Sequence, residues 1–539
     1  MASDPIEQTE EVTMTTPAKQ EKVVSSFRET LPQVLASTAN NFFRMNVSLS
    51  LGFATVVIAQ LHHSGGDLSL DDNHASWLGS VAYICQPLGS VASGVIVELI
   101  GRKKFLILIN FPFLLGLVLL CTAPSFPVLM LANVIIGITV GLTEAPNNSY
   151  NGEVCQPGVR GVMSASSGIF YQLGFFMQYL LGTLTFWRTA AGISTVIPIS
   201  TFICLCMIPE VPIWLISRGR IKDAEKALCC LRGWVQPSAV QQELTELIRY
   251  HEETKIKKKI ETQVATPEII VTDSSAKPSV LSPAFVKDEK DAAPEKFQVV
   301  KVVRDLLRPP TLRPLLLVVP FFFFVHFAGL TSIKPFMVHV FRQFQMPVTA
   351  EWFTVASGGC GLVGSVLLML SVRMLGKRFI SLVGTAISAV AALLLGVYAY
   401  VRPLGDDGAL AYTWVPLVLF VLLSFCNSIV EQIPSILISE VYPFRTRGLS
   451  VGISVAFCYF FIFLASKTYL DTERVFQLHG AFWFYGVISC VAYAFFHFWL
   501  VETEGKSLED IERHFTQGLS ARSREGRNKG RTGQQTSLS

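Results

Sequence analysis

The chain reads as an all-α integral membrane protein, with twelve transmembrane helices in two six-helix bundles and a helical linker between them. Three observations predict this. Of 539 residues, 51% are hydrophobic and only 16% are charged, whereas soluble domains carry about 25% charged residues. A soluble core cannot hide such an apolar surplus, so lipid covers it. Apolar runs of membrane-crossing length, roughly 20 residues, recur six times on each side of a hydrophilic centre. Finally, three short charged motifs occur once per half, at the ends of those runs. Glu98-Leu-Ile-Gly101-Arg102-Lys103 is answered by Arg373-Met-Leu-Gly376-Lys377-Arg378. Glu153 to Gly161 is answered by Glu440 to Gly448, and Pro209-Glu210-Val211-Pro212 by Val501 to Lys506. Duplicated halves with matching charged helix ends are the pattern of a machine whose halves rock against each other, which predicts transport.

Residues 1–30 are polar and lack a basic start followed by a short apolar stretch and a cleavage site, so they are expected as a disordered tail. The first half, 31–208, holds spans at about 33–60, 75–97, 104–122, 127–147, 161–184 and 188–208. The linker is placed at 209–311. In it, Ile221–Arg232 has apolar residues at helical spacing and ends before Gly233. Gln241–Lys259 reads as a second charged helix. Residues 262–296, with Pro267, Pro278, Pro283 and Pro294, read as a disordered insert. The second half, 312–500, holds spans at about 312–340, 350–374, 378–401, 413–438, 449–470 and 478–500. Residues 501–539 form a basic tail.

Residues 209–308 contain 17 of the 44 Lys and Arg. Lys103, Lys104, Lys377, Arg378, Arg445 and Arg447 occupy loops on the same side, whereas loop 61–74 carries Asp67, Asp71 and Asp72. The positive-inside rule puts both termini and the linker in the cytosol, with the cell membrane as the default location. The 11 cysteines fall mostly in apolar runs, as at Cys121, Cys204, Cys360 and Cys458. They read as small buried hydrophobes rather than a disulfide or metal framework. No Ser/His/Asp, Cys/His or metal-ligand spacing stands out, and no nucleotide-binding glycine pattern. The chain is therefore expected to have no catalytic residues, metal or cofactor, and no nucleic-acid partner.

The repeated motifs suggest an inner gate. Gly101 permits a tight turn, and Arg102 and Lys103 can pair with carboxylates or helix-end carbonyls of the neighbouring bundle. Glu153 with Arg160, and Glu440 with Arg447, lie seven residues apart, between one span and the next. The expected gate sets Arg102, Lys103, Arg160 and Arg447 against Glu98, Glu153 and Glu440. Glu144, His326, Lys334 and Glu431 lie within or near spans, where an ionisable group facing lipid costs at least ~2.5 kcal/mol, so each should face a cavity or a partner. Glu431, beside the helix-breaking Pro434, is expected to line the cavity; the alternative is a structural pair, for example with His326. Lys334 and Lys467 are expected to snorkel near the outer interface.

The full set resembles the sugar porter family of the major facilitator superfamily, over about 30–515. It comprises Gly-Arg-Lys after span 2, Glu…Arg-Gly after spans 4 and 10, Pro209 to Arg220 after span 6, and Glu502 to Glu512. Span 1 and Ser76 to Ser90 resemble the facilitated trehalose transporter branch of insects. The resemblance implies the major facilitator fold, a cytosolic helical domain, and monomeric uniport of a hexose or disaccharide. Several cavity positions depart from the family. The sugar-binding Gln of span 5 is Gly168, with Gln172 one turn later. The Gln-Gln-Leu-Ser-Gly-x-Asn of span 7 aligns with Val325 to Thr331, the span 8 Asn with Gly361, and the span 4 Arg with Asn133. Span 10 has Glu431-Gln432-Ile433-Pro434-Ser435. Substrate-binding candidates are therefore Gln172, His326, Thr331, Glu431 and Gln432. Ala54 replaces the Asp of proton-coupled members, which favours facilitated diffusion. A proton-coupled carrier of another small polar solute and a non-transporting sensor are the alternatives.

Overall fold

The computed structural model describes residues 26–65, 68–264, 308–328, 330–401, 412–442, 447–506, 511 and 513–515. Span 1 is Ser26–Leu61, span 2 Asp72–Ile100, span 3 Arg102–Thr122, span 4 Phe126–Val154 and span 5 Pro157–Leu184. Span 6 is Trp187–Met207, interrupted at Thr195. In the second half, span 8 is Ala350–Leu375 and span 9 Lys377–Val401. Two helices within Arg447–Trp499, meeting at the non-helical Gln477 (φ 59°), supply spans 11 and 12. Span 1 starts within the stretch expected as tail. The expected insert, apart from its first residues, and most of the basic tail lie outside the described residues.

Span 7 is broken, and span 10 is loosened for two residues. Span 7 runs as Pro309–Phe327, is out of the helix at Ala328 and over 330–333, and resumes through a turn at Lys334–Phe336 into Met337–Gln343. Span 10 runs as Trp414–Val430, loosens at Glu431 and Gln432, and resumes as Ile433–Val441. Pro335 and Pro434 stand at the restarts, where a missing N–H costs least. Non-helical backbone at membrane depth is tolerated where it faces protein or a cavity rather than lipid. The break in span 7 places Lys334, and Glu431 stands at the loosened turn of span 10 beside Pro434, the helix breaker visible in the sequence.

Within the first half, spans 2 and 4 approach closely because small residues face each other. A Cβ at Gly137 would overlap the Ala82 carbonyl, and one at Gly141 that of Gln86. Close backbone approach supplies the packing that apolar burial cannot supply inside lipid. Val91, Val95 and Leu99 form an exposed apolar stripe on span 2 at four-residue spacing, the face expected to meet lipid tails. The two halves meet along spans 5 and 8 and along spans 2 and 11.

The linker forms helices at Pro212–Ser217, Ile221–Leu231 and Pro237–Val264. It docks on the end of span 2: Trp214 Nε1 donates to the Glu98 carbonyl at 3.1 Å, and Arg218 Nη2 donates to those of Glu98 and Leu99 at 2.7 and 3.0 Å. A cation at a helix C-terminus satisfies orphan carbonyls and complements the helix dipole. The linker thus marks one end of the molecule, the linker end; the opposite end is the far end.

Candidate functional site

At the linker end, the three repeated motifs of each half converge on one cluster. Gly101 has φ +101° and Gly376 φ +77°. This conformation favours glycine, and a Cβ at either position would press on the Glu210 or Glu502 carboxylate. Glu210 accepts from the Lys103 and Lys104 amides at 2.9 and 3.4 Å. Glu502 accepts from those of Lys377 and Arg378 at 3.2 and 2.9 Å. Each carboxylate therefore caps the helix that follows the glycine turn.

The basic residue after each glycine gathers the remaining acids. Arg102 pairs with Glu98 at 2.9 Å and Glu153 at 3.1 Å. Lys377 pairs with Glu440 at 2.9 Å and Glu504 at 2.6 Å. In this state Arg102 and Lys377 pair within their own halves rather than across the two bundles. The physical reason is that spans 2 and 4 are neighbours in one bundle, so their charged ends meet first. Lys103 Nζ donates to the Cys206 carbonyl at 3.0 Å, and Arg160 Nη2 to that of Cys155 at 3.3 Å. Arg447 begins its helix, and its side chain lies outside the described residues.

Ties between the halves gather toward the far end. Thr55 Oγ1 donates to the Lys334 carbonyl at 2.9 Å, Ser76 Oγ to that of Lys467 at 2.8 Å, and Thr183 Oγ1 to that of Glu351 at 3.3 Å. Arg474 pairs with Asp72 at 2.8 Å. Deeper in, the Tyr459 hydroxyl of span 11 donates to Glu144 of span 4 at 2.6 Å, and Glu144 is paired with Arg44 of span 1 at 3.2 Å.

Between the halves lies a small cavity of about 40 Å³, walled by spans 5, 7, 8 and 10. Gln172, Tyr179, Ser357, Ser424, Asn427 and Ser428 present amides and hydroxyls to it. Lys334 and Glu431 also line it, paired at 2.8 Å with side chains 17% and 14% exposed. Lys334 Nζ lies 5.3 Å from the centre of the Phe175 ring, within cation–π range. Lys334 therefore does not snorkel to an interface. The break in span 7 turns it inward, and it takes the role of partner to Glu431 for which His326 was a candidate. Lys467 stacks on Trp77 at 4.4 Å.

The other candidates divide. Gln172 and Glu431 line the cavity. His326 is buried beside it, with Nε2 3.2 Å from Cys458 Sγ and its ring parallel to Phe322. Thr331 is also buried, and its hydroxyl has no partner among the described residues. Gln432 points away from the lining, donating to Ser365 Oγ at 2.7 Å and the Ser428 carbonyl at 2.8 Å. Sequence reading missed Arg44 and the role of Lys377. For Lys377 the signal was present, since it follows Gly376 as Arg102 follows Gly101.

A family profile described as "Sugar (and other) transporter" matches residues 35–272 and 279–515. The chain belongs to this family. The facilitated trehalose transporter Tret1 of Polypedilum vanderplanki is 25% identical over 484 residues, covering 89% of this chain and 87% of the relative. Tret1 of Apis mellifera ligustica is 25% identical, covering 90% and 88%. Among solved structures, the inward-open xylose transporter XylE of E. coli aligns with a TM-score of 0.64 and 17% identity, over 89% of this chain and 98% of that one. The chain is thus a multi-pass membrane carrier with the major facilitator fold, not an enzyme. At Gly168 of span 5, the missing side chain leaves room that the Gln432 carbonyl of span 10 fills. An amide of one half therefore stands against the backbone of the other.

Proposed function

We propose that this protein carries a sugar, trehalose or a hexose, down its gradient by alternating access. The observation that carries the reading is the central cavity, closed from the far end and lined by hydroxyls, amides and one charge pair. A carboxylate beside an ammonium accepts from and donates to neighbouring sugar hydroxyls, and charge-assisted hydrogen bonds are about twice as strong as neutral ones. Gln172 and Asn427 add donors and acceptors on facing walls. The relatives named for trehalose transport support the substrate class.

The far-end ties describe the state in which the cavity opens toward the linker. By the positive-inside rule that end, with both termini, is cytosolic, and the carrier works as a monomer in the cell membrane. The motif clusters hold the short turns rigid within each half, so the halves move as units. Uptake of radiolabelled trehalose and glucose by proteoliposomes of the purified protein tests the proposal. Saturable uptake of either supports it; no uptake of both rejects it.

A second reading is a proton-linked carrier of another small polar solute. The ionisable groups Glu144 and Glu431, each paired with a base inside the molecule, favour it. It requires that an imposed pH gradient drive accumulation, and uniport requires that it does not.

A further inference from the structure

We propose a binding site for a zinc-class divalent metal at the far end, formed by His62, His63 and Asp72. The Nε2 atoms of His62 and His63 lie 3.0 and 3.1 Å from the same Asp72 Oδ1. One ligand atom from each of the three residues falls within 4.8 Å of the others. A tetrahedral metal with bonds of about 2.0–2.1 Å holds its ligand atoms roughly 3.3 Å apart. The observed spacing is therefore close to what metal binding requires, and small side-chain shifts complete it.

Adjacent helical residues point in different directions, so two successive histidines do not ordinarily reach one atom. Here His62 follows Leu61, the last residue of span 1, and His63 takes the left-handed conformation with φ +53°. That turn brings the two rings together, with centres 4.2 Å apart and planes tilted by 39°. The His62 side chain is 7% exposed and that of His63 66%. One ligand is thus anchored in the protein and the other opens an entry path. Two imidazoles and one carboxylate suit zinc and its neighbours rather than calcium or magnesium, which take oxygen ligands. Each imidazole binds in its neutral form with the proton on Nδ1, and water completes the fourth position.

The second oxygen of Asp72 is held by Arg474 of the other half at 2.8 Å. An outer-shell partner that fixes a ligand raises metal affinity. Because this one crosses the boundary between halves, metal occupancy and far-end closure favour each other, as linkage requires. The sequence gives no familiar metal spacing because the ligands sit at the two ends of one loop.

The experiment is zinc titration of the full-length protein, purified without a polyhistidine tag and followed by competition with a chromogenic chelator. H62Q/H63N removes two ligands, and asparagine tolerates the left-handed backbone; D72N removes the third. Loss of one zinc equivalent in both variants, with H74A unchanged, supports the site. Retention of the wild-type stoichiometry and affinity in H62Q/H63N overturns it. R474Q is expected to weaken zinc about tenfold; an unchanged affinity there overturns the coupling to closure.

Discussion

The side-chain carbonyl of Gln432 occupies the space that a Cβ at Gly168 would need. The two residues come from spans 10 and 5, on opposite sides of the moving boundary. The obstructing atom is the tip of a flexible side chain, so Gly168→Ala displaces Gln432 without breaking the fold. The expected result is a nearly unchanged unfolding temperature and a several-fold change in transport KM, as Gln432 loses Ser365. Adding Gln432→Ala removes the obstruction, so the double variant should behave like Gln432→Ala alone. A double-mutant cycle on uptake should give a coupling of about 0.5–3 kcal/mol; strict additivity would count against the contact.

Lys334 and Glu431 invite a test that separates folding from binding. Glu431→Gln leaves a buried ammonium unpaired, which costs about 3–5 kcal/mol. Both stability and uptake should fall. Replacing both residues, Lys334→Met with Glu431→Leu, removes the stranded charge, and stability should recover. If the pair also binds substrate, uptake should stay low in the stable double variant. Recovery of both would make the pair structural only.

At the linker end, the two repeats differ in burial, and this predicts unequal sensitivity. The Lys377 side chain is 3% exposed and holds two carboxylates, whereas Arg102 shares Glu98, which is 67% exposed. Lys377→Met leaves Glu440 and Glu504 facing each other without a cation. Arg102→Met frees Glu98 to water, leaving one half-buried acid, Glu153. Thermal unfolding should therefore report a larger loss for Lys377→Met, of about 3–5 kcal/mol as for other broken buried pairs. Equal losses would mean that exposure does not set the cost here.

The architecture was legible because it rests on composition and repetition. Apolar runs mark the spans, and the motifs mark where helices end. The partners of the charged residues were less legible. Arg102 and Glu153 are 51 positions apart, and only the packing of span 2 on span 4 brings them together within one half. The cavity was legible in outline through Gln172 and Glu431. Lys334 was not, because its inward direction follows from a helix break hidden in an apolar run. The contact of Gln432 with Gly168 was not legible either, since only the meeting of the two halves brings them together.

Glu502 makes the linker-end cluster sensitive to acid. Burial alone would raise its carboxyl. Backbone N–H groups of Glu504, Arg378, Lys377 and Thr503 outweigh that and hold it below the ordinary glutamate range. A group with a depressed folded-state value stabilises the protein fully above the unfolded value, about 4.3 for glutamate. That contribution is lost as pH falls through the depressed value. Glu502→Gln keeps one acceptor oxygen but loses the charge, and should cost about 1–2 kcal/mol at neutral pH. The gap in unfolding temperature between wild type and Glu502→Gln should persist from pH 7 to about 5 and narrow below about pH 4. A gap that widens as pH falls would mean that the carboxyl is raised rather than lowered, and that the turn at Gly376 is held by something other than its negative charge.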